Sequence, residues 1–550
     1  MKTFKPKLFD IVKNYSKSKF VNDIIAGIIV AIIALPLSIA LAIASGVSPE
    51  QGLYTAIVAG FVIAFFGGSN VNISGPTAAF ATIVAGIVAT YGLSGLITAT
   101  ILAGIILILL GVLRLGSLIK YIPMTITTGF TAGIAVTIIV GQIKDFLGLT
   151  FAPGTNAIET SEKMKSIIES ISTLNIDALI VGVIGMAILI LWPMIGKAKL
   201  GVFSKICAKI PPSIIAVIAG ILIVQFAPLE VNTIGTLYPD LSSEFPTPSL
   251  PDFGFDTIKA VLPSAFTIAV LAAIESLLSC VVSDGMIGDR HNSNTELIAQ
   301  GLGNICSGLF GGIPATGAIA RTAANVKNGG RSPVAGMVHA GVLLAFLLVL
   351  MPLAKMIPMP IIAAILFMVA YNMSEWRHFV HICRHSPLSD ILVLIVTFVL
   401  TVMFDLVVAI AVGLVLATVL FMKRMADVTQ VHRLDAKDKT AHRTVVYEIN
   451  GPMFFADADK FLDFEVDEST KVMVLIMSNV LDIDATAMKN LEGLLTTCKS
   501  QNITLVLSDV NENCMPVIKK SGFYDHVGSD NFVSTTDEAI ALANKICKEN

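Results

Sequence analysis

The sequence predicts a polytopic α-helical membrane protein with fourteen membrane segments in two inverted halves of seven, followed by a small cytoplasmic α/β domain. Three observations support this fold class. Charged residues are scarce in positions 1–422 and common in positions 423–550. Apolar runs long enough to cross a bilayer recur throughout the first part. Residues 441–550 instead alternate between strand and helix patterns, which is typical of a mixed sheet covered by helices.

The charge distribution excludes several classes of protein. Hydrophobic residues make up 55% of the 550-residue chain and charged residues only 14%. Of the 37 basic and 40 acidic residues, 34 lie in 423–550, a density typical of soluble domains. Between Ile24 and Leu113 the only charged residue is Glu50. Most of the chain therefore cannot be a soluble enzyme, a nucleic-acid-binding protein or a disordered polymer.

The N-terminal segment, residues 1–23, is expected to lie in the cytoplasm. It carries six lysines within the first twenty residues, against one acidic residue, Asp10. An apolar run over 24–44 follows at once, without a cleavage site, so it predicts a first membrane helix and not a removed signal peptide. The lysine cluster places its start on the cytoplasmic side by the positive-inside rule.

The transmembrane domain is predicted to cover 24–422, with a linker over 423–440 and a second domain over 441–550. An even number of segments returns the chain to the cytoplasm, where Lys423 and Arg424 again fit the positive-inside rule. The fourteen predicted segments are 24–44, 52–67, 76–91, 93–113, 122–142, 177–196, 212–228, 258–284, 294–311, 315–326, 333–353, 358–373, 387–403 and 405–422.

Two short segments are entered through Gly/Pro breaks, over 72–80 and 311–321, and each is the third of its half. Such breaks at matching places in two halves are a pointer to a transporter binding site. Two half-helices meeting at the midplane would direct the positive ends of their dipoles at an anion. The alternative is a pair of kinked packing helices, because Gly and Pro are common in membrane helices.

Three charged residues stand out inside predicted membrane segments, where charge is costly and is a functional hypothesis by default: Glu275, Arg321 and Asp405. Asp405 opens the last segment, where an acid that complements the helix dipole is the favoured interpretation. Glu275 lies in mid-segment with Ser279 one helical turn later. Burial there favours the neutral acid, which suits proton uptake and release. Glu275 could instead help to bind a cation, or pair structurally with a basic residue. Arg321 could add positive charge to an anion site, serve as the partner of Glu275, or do both.

The second domain shows strand patterns over 444–450, 471–477 and 503–507, and a helix pattern over 485–500. No metal site and no cofactor are expected anywhere in the chain. The seven cysteines contain no CxxC pair, and the eight histidines form no cluster.

Several stretches in order resemble the sulfate permease (SulP) family of anion transporters over the whole chain. They are 34–40 (ALPLSIA), 52–54 (GLY), 73–77 (ISGPT), 274–278 (IESLL), 296–304 (ELIAQGLGN) and 321–325 (RTAAN). Within the family the chain resembles bacterial C4-dicarboxylate transporters most, on 143–148 (IKDFLG), 283–286 (SDGM) and 371–375 (YNMSE). The resemblance implies a core and a gate domain, a C-terminal STAS domain and a homodimer.

The resemblance also implies the site residues by position. The substrate-binding residues are Leu37, Leu41, Thr77, Ala78, Ala318, Ile319, Ala320 and Arg321, and the proton-coupling residues are Glu275 and Ser279. Sodium-coupled bicarbonate members have Asp at the position of Glu275, and Thr at those of Ser279 and Ala320. These departures favour proton coupling over a sodium site. The apolar wall at Leu37 and Leu41 suits an organic anion at least as well as sulfate.

A possible regulatory position lies in the second domain. The stretch 481–487 (LDIDATA) resembles the STAS signature loop at a strand–helix junction. Thr486 lies where related soluble regulators are phosphorylated, and a helix N-terminus would accommodate that charge. The alternative is that Thr486 caps the helix.

Together these features predict a secondary transporter in the bacterial inner membrane that imports C4-dicarboxylates with protons by alternating access. The expected partners are a small anion, a proton, the lipid bilayer and a second copy of the chain, and no nucleic acid. The alternatives are a sulfate or bicarbonate transporter, an anion channel or electromotile anion sensor, and a signalling protein anchored in the membrane. An enzyme is the least favoured class.

Overall fold

The computed structural model describes residues 4–11, 15–117, 122–152, 157, 159–197, 207, 210–251, 254–404, 406–434, 443–454, 467 and 469–549. The chain divides into two compact units, residues 1–414 and 415–550. The first unit is almost entirely helical, and the second is built on a five-stranded sheet.

Most of the first unit consists of helices of membrane-spanning length. Within the described residues, nine helices are long and apolar enough to cross a bilayer. The helices of this unit, the last of which continues into the second, are α1 (Lys7–Ile11), α2 (Lys17–Ala44), α3 (Pro49–Phe66), α4 (Ala81–Val112), α5 (Met124–Leu147), α6 (Thr160–Glu169), α7 (Ile176–Lys197), α8 (Pro212–Phe226), α9 (Ile234–Leu237), α10 (Phe255–Ile287), α11 (Ser293–Leu309), α12 (Ile319–Lys327), α13 (Pro333–Ala354), α14 (Met359–Met373), α15 (Trp376–His385), α16 (Leu388–Met403) and α17 (Leu406–Val428).

The fourteen predicted segments are confirmed, and one helix contains two of them. Helix α4 consists of two helices that meet at Gly92, whose φ of 68° and ψ of −174° are not helical. Glycine adopts this conformation at little cost, because it has no Cβ. The kink separates the segment that enters through the first Gly/Pro break from the one that returns across the bilayer.

The two broken segments meet at a short antiparallel strand pair. Strand β1 (Ser74–Gly75) pairs with β2 (Thr316–Gly317), with Ser74 opposite Gly317 and Gly75 opposite Thr316. Strand β1 leads through a 3₁₀ turn, Ala78–Phe80, into α4, and β2 leads into α12. An antiparallel pairing is the arrangement expected when two halves of a chain run in opposite directions through the membrane.

The helices of the first unit pack in two groups. The first group comprises α2, α3, α4, α10, α11, α12 and α13, and the second comprises α5, α7, α8, α14 and α16. Small residues allow the closest contact of the first group, between α4 and α11. A Cβ at Gly104 would lie 2.6 Å from the carbonyl oxygen of Gly301, and a Cβ at Gly301 would lie 2.5 Å from that of Gly104. Such glycine contacts are typical of membrane helix packing.

Three elements differ from the predicted organisation. The stretch 150–175 has too few apolar residues to span a bilayer, yet it contains the short helix α6. Helix α15 was not predicted, because its ten residues (WRHFVHICRH) are amphipathic and polar on average. Residues 423–434, predicted to be linker, form the end of α17 and strand β3 (Gln430–Leu434). The rest of that predicted linker lies outside the described residues.

The second unit contains a sheet with strand order β3-β4-β5-β6-β7. Strand β3 is antiparallel to β4, and the other neighbours are parallel. The remaining strands are β4 (Thr444–Asn450), β5 (Val472–Asn479), β6 (Thr504–Ser508) and β7 (Phe532–Val533), and the helices are α18 (Ala485–Ser500), α19 (Met515–Lys520), α20 (Phe523–Val527) and α21 (Thr536–Glu549). Apolar residues of α18, α19 and α20 pack on one face of the sheet and those of α21 on the other, which confirms the predicted mixed α/β domain.

Candidate functional site

The candidate site lies where the strand pair ends and the two half-helices begin. Thr77 precedes the 3₁₀ turn in an extended conformation, with φ −125° and ψ 158°. Ala318 precedes α12 in the same region of conformational space, with φ −102° and ψ 107°. No side chain of either residue caps the helix that it starts. Uncapped helix starts present N–H groups and positive partial charge, which favours an anion.

Arg321 supplies a full positive charge beside the first of these helix starts. Its side chain is buried, with 2% of the residue exposed. Nη2 donates a hydrogen bond to the carbonyl oxygen of Pro76. Among the described residues, Nε and Nη1 have no hydrogen-bond partner. A buried guanidinium with unused donors is expensive, so these two groups suit an anionic ligand.

The approach of Arg321 to β1 depends on a glycine. A Cβ at position 75 would lie 2.7 Å from Nη1 of Arg321. The glycine of the predicted Gly/Pro break therefore has a steric role: it lets a guanidinium from the second half of the chain lie against the backbone of the first.

Glu275 faces the first half-helix from α10. Its Oε2 accepts a hydrogen bond of 2.9 Å from Oγ1 of Thr77. Within the described residues, no ion pair of 4.0 Å or less joins Glu275 to Arg321. The two charged residues therefore flank the same segment, 76–77, without forming a direct salt bridge.

Ser279 lies one turn further along α10 than Glu275, but its hydroxyl bonds to other residues. Its Oγ is buried, donates to Oδ1 of Asn72 at 2.8 Å and lies 3.2 Å from Oγ1 of Thr322. Asn72 and Thr322 were not predicted as site residues. The only signal for them in the sequence was their position beside the Gly/Pro break and beside Arg321.

The other predicted substrate-binding residues differ in exposure. Leu41 and Ala78 are buried, and Leu37 on α2 is half-buried. Ile319 and Ala320 are exposed at the start of α12, after the buried Ala318. The structure therefore brings Glu275 and Arg321 into direct contact with segment 76–77, which contains Thr77. The residues at the start of α12, Ile319 and Ala320, remain exposed.

Thr486 lies in the first turn of α18 in the second unit and is half-buried. The cap of this helix is Asp484, whose side chain accepts a 2.8 Å hydrogen bond from the backbone N–H of Ala487. The alternative that Thr486 caps the helix is therefore wrong. Its predicted regulatory role stays a prediction.

Comparisons with known proteins identify the family. Residues 20–397 match the model of the sulfate permease family, and residues 435–539 match the STAS domain. The chain is 39% identical over 538 residues to the putative sulfate transporter YvdB of Bacillus subtilis, covering 96% of this chain and 98% of that protein. It is 33% identical over 463 residues to the bicarbonate transporter BicA of a Picosynechococcus species, covering 80% and 79% respectively.

A solved structure gives the same fold. The murine solute carrier 26 family member A9 anion transporter superposes with a TM-score of 0.87 over 98% of this chain and 94% of its own, at 18% identity. The relatives named above are sulfate and bicarbonate transporters by name, so the comparisons do not support the predicted closeness to C4-dicarboxylate transporters. This chain belongs to the sulfate permease family: it is an integral membrane protein and a secondary anion transporter with a C-terminal STAS domain, and it is not an enzyme.

Proposed function

We propose that this protein imports a small oxyanion, sulfate first of all, together with a proton by alternating access. The observation that carries the proposal is the buried Arg321, which has two unused donor groups and lies against Pro76, just before the first uncapped half-helix. A tetrahedral oxyanion has enough acceptor atoms to engage both the guanidinium and the N–H groups of two helix starts. The names of the two relatives described above favour sulfate or bicarbonate.

Glu275 is the proposed proton site. Its carboxylate lies in a membrane helix, has no cationic partner within 4.0 Å in the described part of the chain, and touches Thr77 at the start of the first half-helix. Protonation would remove a negative charge from beside the anion. Sodium coupling is less well supported, because the nearby hydroxyl of Ser279 is already engaged with Asn72 and Thr322.

A C4-dicarboxylate is the second candidate substrate. The half-buried Leu37 and the exposed Ile319 would give the predicted pocket an apolar wall, and the methylene groups of an organic anion would be stabilised there whereas sulfate has none. Sulfate and succinate both carry two negative charges at neutral pH, so Arg321 would attract either.

The substrate assignment can be tested with purified protein in liposomes. We expect uptake of labelled sulfate, accelerated by an inward proton gradient and reduced by excess unlabelled sulfate. Labelled bicarbonate and succinate form the parallel arms. Uptake of succinate that excess sulfate does not reduce would favour the dicarboxylate. Currents far above carrier turnover in a planar bilayer would contradict a transporter and favour a channel.

We predict that Glu275→Gln abolishes the stimulation of uptake by a proton gradient, because the amide has no proton to exchange. Exchange of internal for external anion at equal pH should be retained. Glu50→Gln, which removes a carboxylate from the first turn of α3, is the matched control and should keep the full stimulation. Proton-driven uptake by Glu275→Gln at the wild-type rate would exclude Glu275 as the coupling group.

We also infer the surroundings in which this transport takes place. The protein lies in the bacterial cytoplasmic membrane, with its N-terminus and the STAS domain in the cytoplasm and the transport domain over 24–422. It forms a homodimer, and phosphorylation of Thr486 regulates it. The lysine-rich N-terminus and the basic residues at 423–424 support the cytoplasmic position of the N-terminus and the STAS domain. The family membership supports the membrane location, the homodimer and the regulation.

A further inference from the structure

A second carboxylate, Glu296 on α11, lies in the interior of the first unit. Its residue is 0% exposed. Oε1 accepts hydrogen bonds from Nδ2 of Asn72 at 2.8 Å, from Nε2 of Gln300 at 3.0 Å and from Oγ of Ser276 at 3.2 Å. Oε2 accepts one from the backbone N–H of Gly68 at 2.9 Å. Among the described residues, Glu296 has no ion pair within 4.0 Å.

All four of these contacts come from donors, so both oxygens of Glu296 act as acceptors. A buried carboxylate without a cation is tolerated only where several hydrogen bonds replace its hydration. Hydrogen bonds to a charged acceptor are stronger than hydrogen bonds between neutral groups. In an interior without water, each of them also requires a well-defined position of the donor. Glu296 is therefore the acceptor around which the four donors are fixed.

The donors of Glu296 connect it to the chain that enters the first half-helix. Gly68 and Asn72 lie just before β1, and Gln300 also donates from Nε2 to Oγ of Ser74 within β1, at 3.0 Å. One carboxylate thus fixes the segment 68–74 directly at two points and through Gln300 at a third. Ser276, the remaining donor, is the immediate neighbour of Glu275 on α10.

Asn72 extends the network to the second half of the protein. While its Nδ2 donates to Glu296, its Oδ1 accepts from Ser279 at 2.8 Å and from Oγ1 of Thr322 at 3.0 Å. Oγ1 of Thr322 in turn accepts from the N–H of Ile73 at 3.0 Å. The amide of Asn72 therefore has its orientation determined by Glu296, and it joins α10, α12 and the start of β1.

We propose that Glu296 is a positioning residue for the anion site. It fixes the path of segment 68–74 so that the carbonyl of Pro76, Thr77 and the first half-helix meet Arg321 and Glu275 in one geometry. This inference rests on the anion site of the proposed function, although not on proton coupling or on the identity of the anion. Glu296 itself does not touch the substrate.

The backbone around the hydrogen-bond network of Glu296 is closely packed. A Cβ at Gly68 would lie 2.2 Å from the carbonyl oxygen of Asn292, and one at Gly317 would lie 2.7 Å from Nδ2 of Asn72. There is thus little free space beside Gly68 and Gly317 to absorb a rearrangement of the Glu296 network, so we expect such a rearrangement to shift the strand pair.

Asp23 on α2 provides a matched control. It too is 0% exposed, and it accepts hydrogen bonds from Tyr15, from the backbone N–H groups of Arg331 and Ser332, and from the Ser332 hydroxyl. Arg331 and Ser332 lie just before α13 and Tyr15 lies just before α2, and none of these residues belongs to segment 68–77 or to 316–321. Asp23→Asn and Glu296→Gln therefore make the same chemical change in two buried networks, of which only one reaches the site.

The full-length protein in detergent should be compared as wild type, Glu296→Gln and Asp23→Asn. We measure the melting temperature and the dissociation constant for sulfate, bicarbonate and succinate by calorimetry. Both variants should melt earlier. Glu296→Gln should weaken binding of the anion that the wild type prefers by at least tenfold, and Asp23→Asn by less than twofold. Wild-type affinity in Glu296→Gln, or equal losses in both variants, would overturn the proposal.

Hydrogen–deuterium exchange separates this proposal from the proposed function. Glu296→Gln should raise amide exchange over 68–78 and 316–322, whereas Asp23→Asn should raise it only near 331–335. Unchanged exchange over 68–78 would refute the positioning role even if the wild type binds an anion. A wild type that binds no anion would refute the proposed function, and the positioning of the strand pair would still be judged by exchange.

The double variant Asn72→Asp with Glu296→Gln exchanges the amide and the carboxylate between the two residues. The exchange keeps the net charge and the number of non-hydrogen atoms. Gln300 can turn its Oε1, which has no hydrogen-bond partner in the described part of the chain, toward the new amide. We expect the double variant to recover at least a third of the loss in log Kd that Glu296→Gln causes. A double variant that binds no better than Glu296→Gln alone would contradict the proposal.

Discussion

Arg321, the proposed anion-binding residue, combines a positive charge with a defined hydrogen-bonding geometry. It is buried, one donor group is committed to Pro76, and two further groups have no partner in the described part of the chain. A hydrogen bond to a charged group contributes about 1.5–3 kcal/mol, which corresponds to about one to two orders of magnitude in affinity. The side chain therefore supplies more than a diffuse positive potential.

We predict that Arg321→Gln weakens anion binding by about 10- to 100-fold, because the variant loses both the charge and the free donors. Arg331→Gln is the matched control. Arg331 bonds to the carbonyl oxygens of Val326 and Gly330 at the end of α12, outside the strand pair. Calorimetric titration with sulfate gives the two affinities. An equal loss in both variants would show that Arg321 acts only through the general potential.

At this scale the sequence predicted the charged residues but not their partners. Glu275 and Arg321 were identifiable because formal charge is rare in membrane segments. Asn72, Glu296 and Thr322 were not, since a polar residue beside a Gly/Pro break or at the start of a helix is usually solvated. Their hydrogen bonds cross between the halves, over sequence separations of 224 and 250 residues, which no local pattern encodes.

The helix pair α4–α11 shows how small residues determine the packing of elements. The reciprocal contacts of Gly104 and Gly301 bring the two backbones together, and α11 carries Glu296 at its N-terminal end. The spacing of this pair therefore sets how far Glu296 stands from segment 68–74.

We predict that Gly104→Ala destabilises the protein, because its Cβ would lie 2.6 Å from a backbone oxygen that cannot move aside. Overpacking of this kind costs about 1–3 kcal/mol. Gly86→Ala on the same helix is the control, since a Cβ there would meet no atom within 4 Å. Thermal unfolding in detergent should show a lower midpoint for Gly104→Ala alone. Equal midpoints would mean that α4 and α11 can separate without cost.

Elements were predictable to the extent that their periodicity or apolarity exceeded that of their surroundings. All membrane segments met this condition, including the two that α4 joins. Helices α6 and α15 are amphipathic, but each has only ten residues and is polar on average, so neither stands out as a membrane segment. Strand β3 was predicted to be part of the linker because its five residues (QVHRL) show no strand pattern in the sequence. It becomes recognisable as a strand only through its pairing with β4 in the structure.

At the scale of the whole molecule, we expect from the even number of segments that both termini lie on one side of the membrane. We predict that a cysteine introduced at Ser243, between α9 and α10, reacts with an impermeant maleimide in intact cells. One introduced at the exposed Ser534 in the second unit should react only after the cells are made permeable. The wild type gives the background from its seven native cysteines. Labelling of position 534 in intact cells would reverse the topology.

The sequence by itself determined the transmembrane domain, the soluble domain, the two segments with Gly/Pro breaks, and the charged residues Glu275 and Arg321 within membrane segments. It could do so because hydrophobicity and charge are local properties of a chain. Tertiary structure alone decided that Arg321 lies against Pro76, that Glu275 bonds to Thr77 and that Ser279 turns toward Asn72. These contacts join residues about 200 to 250 positions apart. They depend on an antiparallel strand pair that neither half of the protein can form without the other.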